Sequence, residues 1–258
     1  MLVDSHCHLD FPDFAPERDA VIARAFAAGI GTILTICTRL DQFDGVRALA
    51  GGDPRIWCSV GVHPHEAEAH ADVIADRLVA LAAHPRVVGI GETGLDFHYD
   101  LSARDVQARV FRAHIAASQA SGLPLIIHAR EADDEIAAIL RAEQPPPGVL
   151  HCFTAGRALA EAALDLGFYI SISGIVTFRN AEDLRAIVRD LQVERLLIET
   201  DAPYLAPVPY RGKRNEPAFV IATAAAVAKL KGIEESRLAA ATRENFFRLF
   251  TKATATTL

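Results

Sequence analysis

Val3-Asp4-Ser5-His6-Cys7-His8-Leu9-Asp10 places two imidazoles two residues apart in a short apolar run. Along an extended strand successive side chains point to opposite faces. Asp4, His6 and His8 therefore share one face, and Ser5, Cys7 and Leu9 the other. Two imidazoles on one face can grip a single cation, and imidazole suits zinc and its first-row neighbours. A strand with two hydrogen-bonded core histidines has the same pattern, so the pair gains meaning only from what the rest of the chain brings to it.

Residues of the same chemistry recur at the ends of later apolar runs. They are His63 in Gly61-Val62-His63-Pro64, Glu92 in Gly91-Glu92-Thr93-Gly94-Leu95-Asp96, His128 in Ile126-Ile127-His128-Ala129-Arg130, His151 in Leu150-His151-Cys152-Phe153, and Asp201 in Glu199-Thr200-Asp201-Ala202-Pro203. Each has a plain alternative: a strand cap for His63, a turn for Glu92, a core hydrogen bond for His151, a helix cap for Asp201. As a set they are harder to dismiss, because five of the ten histidines end apolar runs, where an unpaired imidazole is costly to bury. The other five, His65, His70, His84, His98 and His114, fall on loops or helices and are expected at the surface.

Four histidines and two carboxylates exceed the needs of one tetrahedral zinc. They suit two divalent cations bridged by a carboxylate and a water, a pair that generates hydroxide at neutral pH and stabilises both attacking and leaving oxygens. The expected assignment is His6, His8 and Asp201 on one ion, His128 and His151 on the other, and Glu92 between them. Asp201 is also placed to take the proton of the attacking water, so Asp201 and Glu92 are the expected catalytic carboxylates. Asp4 and Glu199, one layer deeper, are expected to orient ligands, with an ion pair as the alternative.

These groups need a scaffold that gathers strand ends. Apolar runs at Leu2–His8, Thr32–Cys37, Ile56–Val62, Val87–Glu92, Leu123–His128, Val149–Cys152, Tyr169–Ser173 and Leu196–Thr200 alternate with segments of helical period, among them Val73–Leu81, Val106–Ala120, Ile136–Leu140, Leu159–Leu166 and Leu184–Leu191. Two further helices are expected at Phe219–Leu230 and Glu234–Phe250, followed by a Thr- and Ala-rich tail expected to fray. Eight strands with intervening helices indicate an α/β (β/α)8 barrel, whose functional groups collect at the carboxyl ends of the strands. A doubly wound open sheet shares this local grammar, but the G-x-G-x-x-G turn of dinucleotide folds is missing.

The 258 residues fit one barrel domain spanning 1–258, and 51% hydrophobic content allows a large core. A net charge of −7 argues against nonspecific coating of nucleic acid but leaves room for a local basic pocket. The cysteines, Cys7, Cys37, Cys58 and Cys152, form no C-x-x-C pair and read as reduced thiols of a cytoplasmic protein. Neither a signal peptide nor a membrane-spanning run is evident, and no obligate protein partner is expected. Arg130 follows His128 on the same face. Arg211, Lys213 and Arg214 crowd into Pro209–Pro217 after the last strand and read as a phosphate cradle, with a solvated basic loop as the alternative. Tyr204 and Phe153 are expected at the mouth, to stack on a base or to pack the rim. His63 is assigned to substrate binding with Arg130, Tyr204 and the basic loop.

Taken together, Asp4–Asp10, Gly61–Pro64, Gly91–Asp96, His128–Arg130, His151–Phe153, Thr200–Leu205 and Arg211–Pro217 resemble, in order, the motifs of the TatD-type metal-dependent deoxyribonucleases. Glu244-Asn245-Phe246 and Leu249-Phe250 resemble that family's closing helix. The resemblance implies a TIM barrel of the amidohydrolase-like superfamily. It implies a two-metal site of Zn, Mg, Mn or Co on His6, His8, Glu92, His128, His151 and Asp201, and hydrolysis of DNA phosphodiesters, typically from the 3′ end of single strands. Thr93 and the run Phe97-His98-Tyr99 depart from the family pattern and bear on the substrate rim. A metal-dependent carbonyl hydrolase acting on an amide, lactone or aminoacyl ester is the rival reading, and a catalytically silent binding protein on the same fold is another.

Overall fold

The computed structural model describes residues 1–255. Eight parallel strands, β1 (Leu2–Cys7), β2 (Ile30–Thr35), β3 (Ile56–Val60), β4 (Val87–Asp96), β5 (Leu125–Arg130), β6 (Val149–Leu150), β7 (Tyr169–Ile172) and β8 (Leu196–Ile198), pair in sequence order. Helices α1 (Arg18–Ala27), α2 (Phe43–Gly52), α3 (Ala75–Ala82), α4 (Arg104–Ser121), α5 (Asp133–Glu143), α6 (Arg157–Asp165) and α7 (Glu182–Asp190) follow β1 to β7 one by one. Helices α8 (Val220–Lys231) and α9 (Glu235–Leu249) come after β8. The sheet closes just past β1 and β8: His8 N–H donates to Ala202 O at 2.8 Å and Asp201 N–H donates to His6 O at 2.9 Å. This is the expected (β/α)8 barrel. The tail expected to fray falls partly on residues 256–258, outside the described residues.

The barrel has two ends with different contents. Val3, Leu34, Trp57, Val88, Ile126, Val149, Tyr169 and Leu197, one residue from each strand, pack with Phe246, Leu249 and Phe250 at the end of α9. Burying large apolar side chains is worth about 1.5–3 kcal/mol each, so this plug anchors the fold away from the carboxyl ends of the strands.

Two expectations are corrected. Strand β4 runs on to Asp96 rather than ending at Glu92, because it pairs with β5 through Asp96 and Arg130 after a register shift beyond Ile90. Gly94 makes this possible: its φ is +134°, and a Cβ there would collide with the carbonyl of His128. The second concerns the histidines expected at the surface. His114 is fully buried and His70 nearly so, His65 and His84 are half-buried, and only His98 is exposed. His114 sits on the inner face of α4, where its Nδ1–H donates to Val110 O at 2.7 Å and its Nε2 accepts the N–H of Val62 at 3.0 Å. It thus ties a helix to the strand end that carries His63.

Burial pushes the pKa of His114 down to about 4. The unfolded chain, with a histidine pKa near 6.5, then binds more protons than the folded one between those values. Stability from this residue is present above pH ~6.5 and lost as pH falls toward about 4, by about 3 kcal/mol. Urea titrations of the wild type and of His114→Phe should differ in slope over that window. At neutral pH the variant should lose about 1–3 kcal/mol, because Val62 N–H is left unpaired.

Candidate metal centre

Glu92 lies at the middle of the open end of the barrel, 2% exposed, and its two oxygens face different groups of imidazoles. Oε2 is 3.3 Å from His6 Nε2 and 3.9 Å from His8 Nε2. Oε1 is 2.7 Å from His151 Nε2, 3.2 Å from His128 Nδ1 and 3.4 Å from His63 Nε2. Asp201 completes the first group, with Oδ1 3.4 Å from His8 Nε2 and 3.7 Å from His6 Nε2. All six residues expected to meet do so. Asp201 reaches the site because barrel closure sets it beside His6 and because its backbone adopts φ +56°; Cys152, after His151, has φ +42°. Non-glycine residues held in this left-handed region cost on the order of 1–3 kcal/mol each and tend to mark functional sites.

The bonds behind each imidazole decide which nitrogen faces inward. His151 Nδ1 lies 3.3 Å from Glu199 Oε1, which also accepts Cys152 N–H at 2.8 Å. Its Nε2 lone pair is therefore turned toward Glu92. His63 is the reverse case: its Nδ1 accepts the N–H of His65 at 3.1 Å, so the neutral ring carries its proton on Nε2 and is a donor. Asp4 holds Thr200 rather than a ligand, accepting its N–H at 2.9 Å and its hydroxyl at 2.6 Å, and so steadies the backbone before Asp201. Burial pushes the Asp4 carboxyl up to about 8.

A divalent cation suits this donor set. His6 Nδ1 and Nε2, His8 Nδ1, Glu92 Oε2 and Glu199 Oε2 are buried without a hydrogen-bond partner among the described residues, a costly state unless something else engages them. His6, His8 and Glu92 offer ligand atoms within 4.8 Å of one another, as do His63, Glu92 and His128, and His6, His151 and Glu199. The electrostatics agree. Burial disfavours charge on Glu92, but His151, His63 and His6 outweigh it and hold the carboxyl well below its usual range. Burial also opposes charge on His151, and Glu92 and Glu199 overcome it, lifting the imidazole well above its usual value. Burial, helped by the neighbouring imidazoles of His128, His65 and His151 and opposed by Glu92, drives His63 well down, which keeps it neutral. The centre is built to hold positive charge next to Glu92.

The substrate residues divide. A cavity of about 760 Å³ is lined by five of the six cluster residues and by His63, His65, Asp96, Tyr99, Arg130 and Tyr204. Arg130 lies over the Tyr99 ring at 4.6 Å and has no carboxylate partner among the described residues. Tyr204 is 53% exposed and meets Phe11, which stacks on His8 at 4.5 Å. The basic loop is not brought into this cavity. Arg214 Nη2 pairs with Glu17 Oε1 at 2.7 Å, Arg211 lies over Phe178 at 3.7 Å, and Lys213 is exposed. Phe153, expected at the mouth, is buried at 2%, and Thr93, expected at the rim, is fully buried. Sequence reasoning missed Phe11, His65 and Asp96. Asp96 alone carried a signal, as the final residue of a quoted motif.

A sequence profile of TatD-related DNases matches residues 3–251. The chain is 46% identical over 254 residues to the Escherichia coli K12 metal-dependent hydrolase YcfH, covering 96% of this chain and 95% of that one. It is 36% identical over 256 residues to the Klebsiella pneumoniae 3′-5′ ssDNA/RNA exonuclease TatD, covering 96% and 97%. The crystal structure of the Escherichia coli K12 TatD homolog YJJV superposes with a TM-score of 0.91 at 31% identity, covering 97% and 98%.

Glu92→Gln removes the charge that both imidazole groups face. Elemental analysis after equilibration with zinc should show affinity for metal falling by more than about 100-fold, beyond the ~10–100-fold typical of residues behind a ligand, while circular dichroism stays unchanged.

Proposed function

The chain belongs to the TatD-related DNase family, and from that premise we propose that it is a two-metal nuclease that removes nucleotides from the 3′ ends of single-stranded DNA. The observation that carries this reading is the one cavity shared by the candidate metal cluster, the guanidinium of Arg130, which meets no carboxylate among the described residues, and the exposed ring of Tyr204. A phosphodiester needs all three: a cationic floor, a phosphate clamp and a surface for a base.

His6, His8 and Asp201 would hold one divalent ion and His128 and His151 the other, with Glu92 between them. When bound, the ions supply Lewis acidity toward the phosphate and make water acidic enough to ionise near neutral pH. Zinc, manganese, magnesium and cobalt all suit imidazole and carboxylate together. Asp201, turned toward the cavity, accepts the proton of the attacking water. His63, whose Nε2–H faces Glu92 Oε1 at 3.4 Å at the cavity wall, would turn that N–H to a phosphate oxygen once Glu92 is engaged by the ions. Arg130, steadied over Tyr99, orients a neighbouring phosphate through its forked donors. Tyr204 and Phe11 stack on the terminal base. The four free thiols, three of them buried, fit a cytoplasmic enzyme.

Arg211, Lys213 and Arg214 lie off the cavity, which weakens the phosphate-cradle argument against a carbonyl substrate, so the assay must offer both. Purified protein with manganese or magnesium should shorten a labelled single-stranded oligonucleotide stepwise from its 3′ end and leave a panel of amides, lactones and esters intact. Turnover of that panel alone would overturn the nuclease reading. His128→Ala and Asp201→Ala should each abolish hydrolysis with unchanged circular dichroism, since barrel stability and carboxyl-end chemistry are largely separate. Arg130→Ala should raise KM for DNA about 10- to 100-fold, the range for losing a charged hydrogen bond, with a smaller change in kcat.

A further inference from the structure

Asp96 is a fully buried carboxylate at the end of β4, and its two oxygens have separate partners. Oδ1 accepts the backbone N–H groups of His98 at 3.0 Å and Tyr99 at 2.9 Å. Oδ2 lies 3.0 Å from His128 Nε2 and 2.9 Å from His65 Nε2. Gln107 of α4 locks the surrounding backbone, its Oε1 accepting Asp96 N–H at 2.8 Å and its Nε2 donating to Asp96 O at 3.2 Å and Ser102 O at 2.7 Å. An ionised carboxylate accepts and cannot donate, so both imidazoles must turn an N–H toward it.

We infer that Asp96 is a positioning residue that keeps the proton of His128 on Nε2, so that the Nδ1 lone pair faces Glu92, and that it pins His65 to the cavity wall with the same oxygen. The inference rests on the metal reading of the cluster and is independent of which substrate is cleaved. The Nδ1 lone pair faces Glu92 Oε1 at 3.2 Å, an acceptor pair that a cation held by Glu92 and His128 would relieve, whereas the opposite arrangement sets the Nε2 lone pair against Asp96 at 3.0 Å, a residue outside every candidate cation group among the described residues. The opposite arrangement would also take His128 out of the donor set. Glu199 does the same for His151 from the other side of the ring, leaving Nε2 inward there and Nδ1 inward at His128.

Asp96→Asn separates this role from simple packing, because it keeps the shape of the side chain and changes one acceptor into a donor. With the amide nitrogen in the place of Oδ1, it would meet two backbone N–H groups that have no alternative. With the nitrogen in the place of Oδ2, it meets two imidazoles, which can respond by moving their protons to Nδ1. The second arrangement has fewer opposed donors, and it blocks the inward lone pair of His128.

The test uses the full chain, labelled with ¹⁵N and loaded with zinc. Long-range ¹⁵N–¹H correlation spectra should show the wild-type His128 protonated on Nε2 and coordinated through Nδ1. Calorimetric titration with zinc should give two ions for the wild type. For Asp96→Asn, the ion on His128 and His151 should weaken by about 10- to 100-fold while the ion on His6, His8 and Asp201 is kept. His65→Phe, which removes the other donor but not the carboxylate, should retain both ions and the wild-type His128 spectrum. Wild-type spectra with zinc on His128 Nε2 would overturn the inference even if the Asn variant failed to fold. So would an Asp96→Asn protein that keeps both affinities. A wild type that binds no zinc would overturn the metal reading and this inference together, whereas two bound ions without nuclease activity would count against the proposed function alone.

Discussion

One buried carboxylate organises the open end of this barrel. Glu92 is reached by five imidazoles that arrive from four separate stretches of chain, each group facing one of its two oxygens. A carboxylate so placed cannot shed its charge into solvent and cannot be neutralised by one neighbour. It sets the sign of the whole centre, and the imidazoles and any cation they hold must answer to it. Removing a single partner from such a network leaves buried polar groups unpaired, which is costly at low dielectric.

The fold supplies this geometry at little cost to its own stability. The apolar plug formed by α9 and one residue from every strand lies at the other end of the barrel, so the polar centre is not asked to hold the strands together. What the centre does require is closure. The hydrogen bonds between His8 and Ala202 and between Asp201 and His6 finish the sheet and, by the same act, bring the last carboxylate to the first two imidazoles. Behind two of the ligands stands an acceptor: Glu199 for His151 and Asp96 for His128. Asp4 acts one step further back, through the backbone of Thr200. The nitrogen that His151 and His128 present is thus chosen by an oxygen on the far side of the ring.

The rim obeys a looser rule. Among the described residues Arg130 meets no carboxylate and is steadied by an aromatic face, while Arg214, from a loop of denser charge, is held by Glu17 just before α1. Clustered cations in the sequence therefore did not become a clustered field in the cavity, because Arg214 turns to Glu17 and the Asp13 carbonyl and Arg211 to the ring of Phe178.

The chain by itself determined the barrel and the six central residues. Strand and helix periods are local properties, legible within a dozen residues, and a parallel barrel delivers strand ends to one place whatever their separation in sequence. Six histidines and carboxylates at five such ends could therefore be placed together before any coordinates. Only the tertiary structure decided the rest. His114 looked like a surface residue because helical period does not say which polar side chain has a backbone N–H waiting for it. Phe153 looked like a rim residue because one step along a strand end exchanges cavity for core. His65 looked like a surface residue and Asp96 stood without a role at the end of a motif, because which oxygen meets which nitrogen between positions 31 and 32 apart is set by a register shift and a glycine rather than by any pattern along the chain.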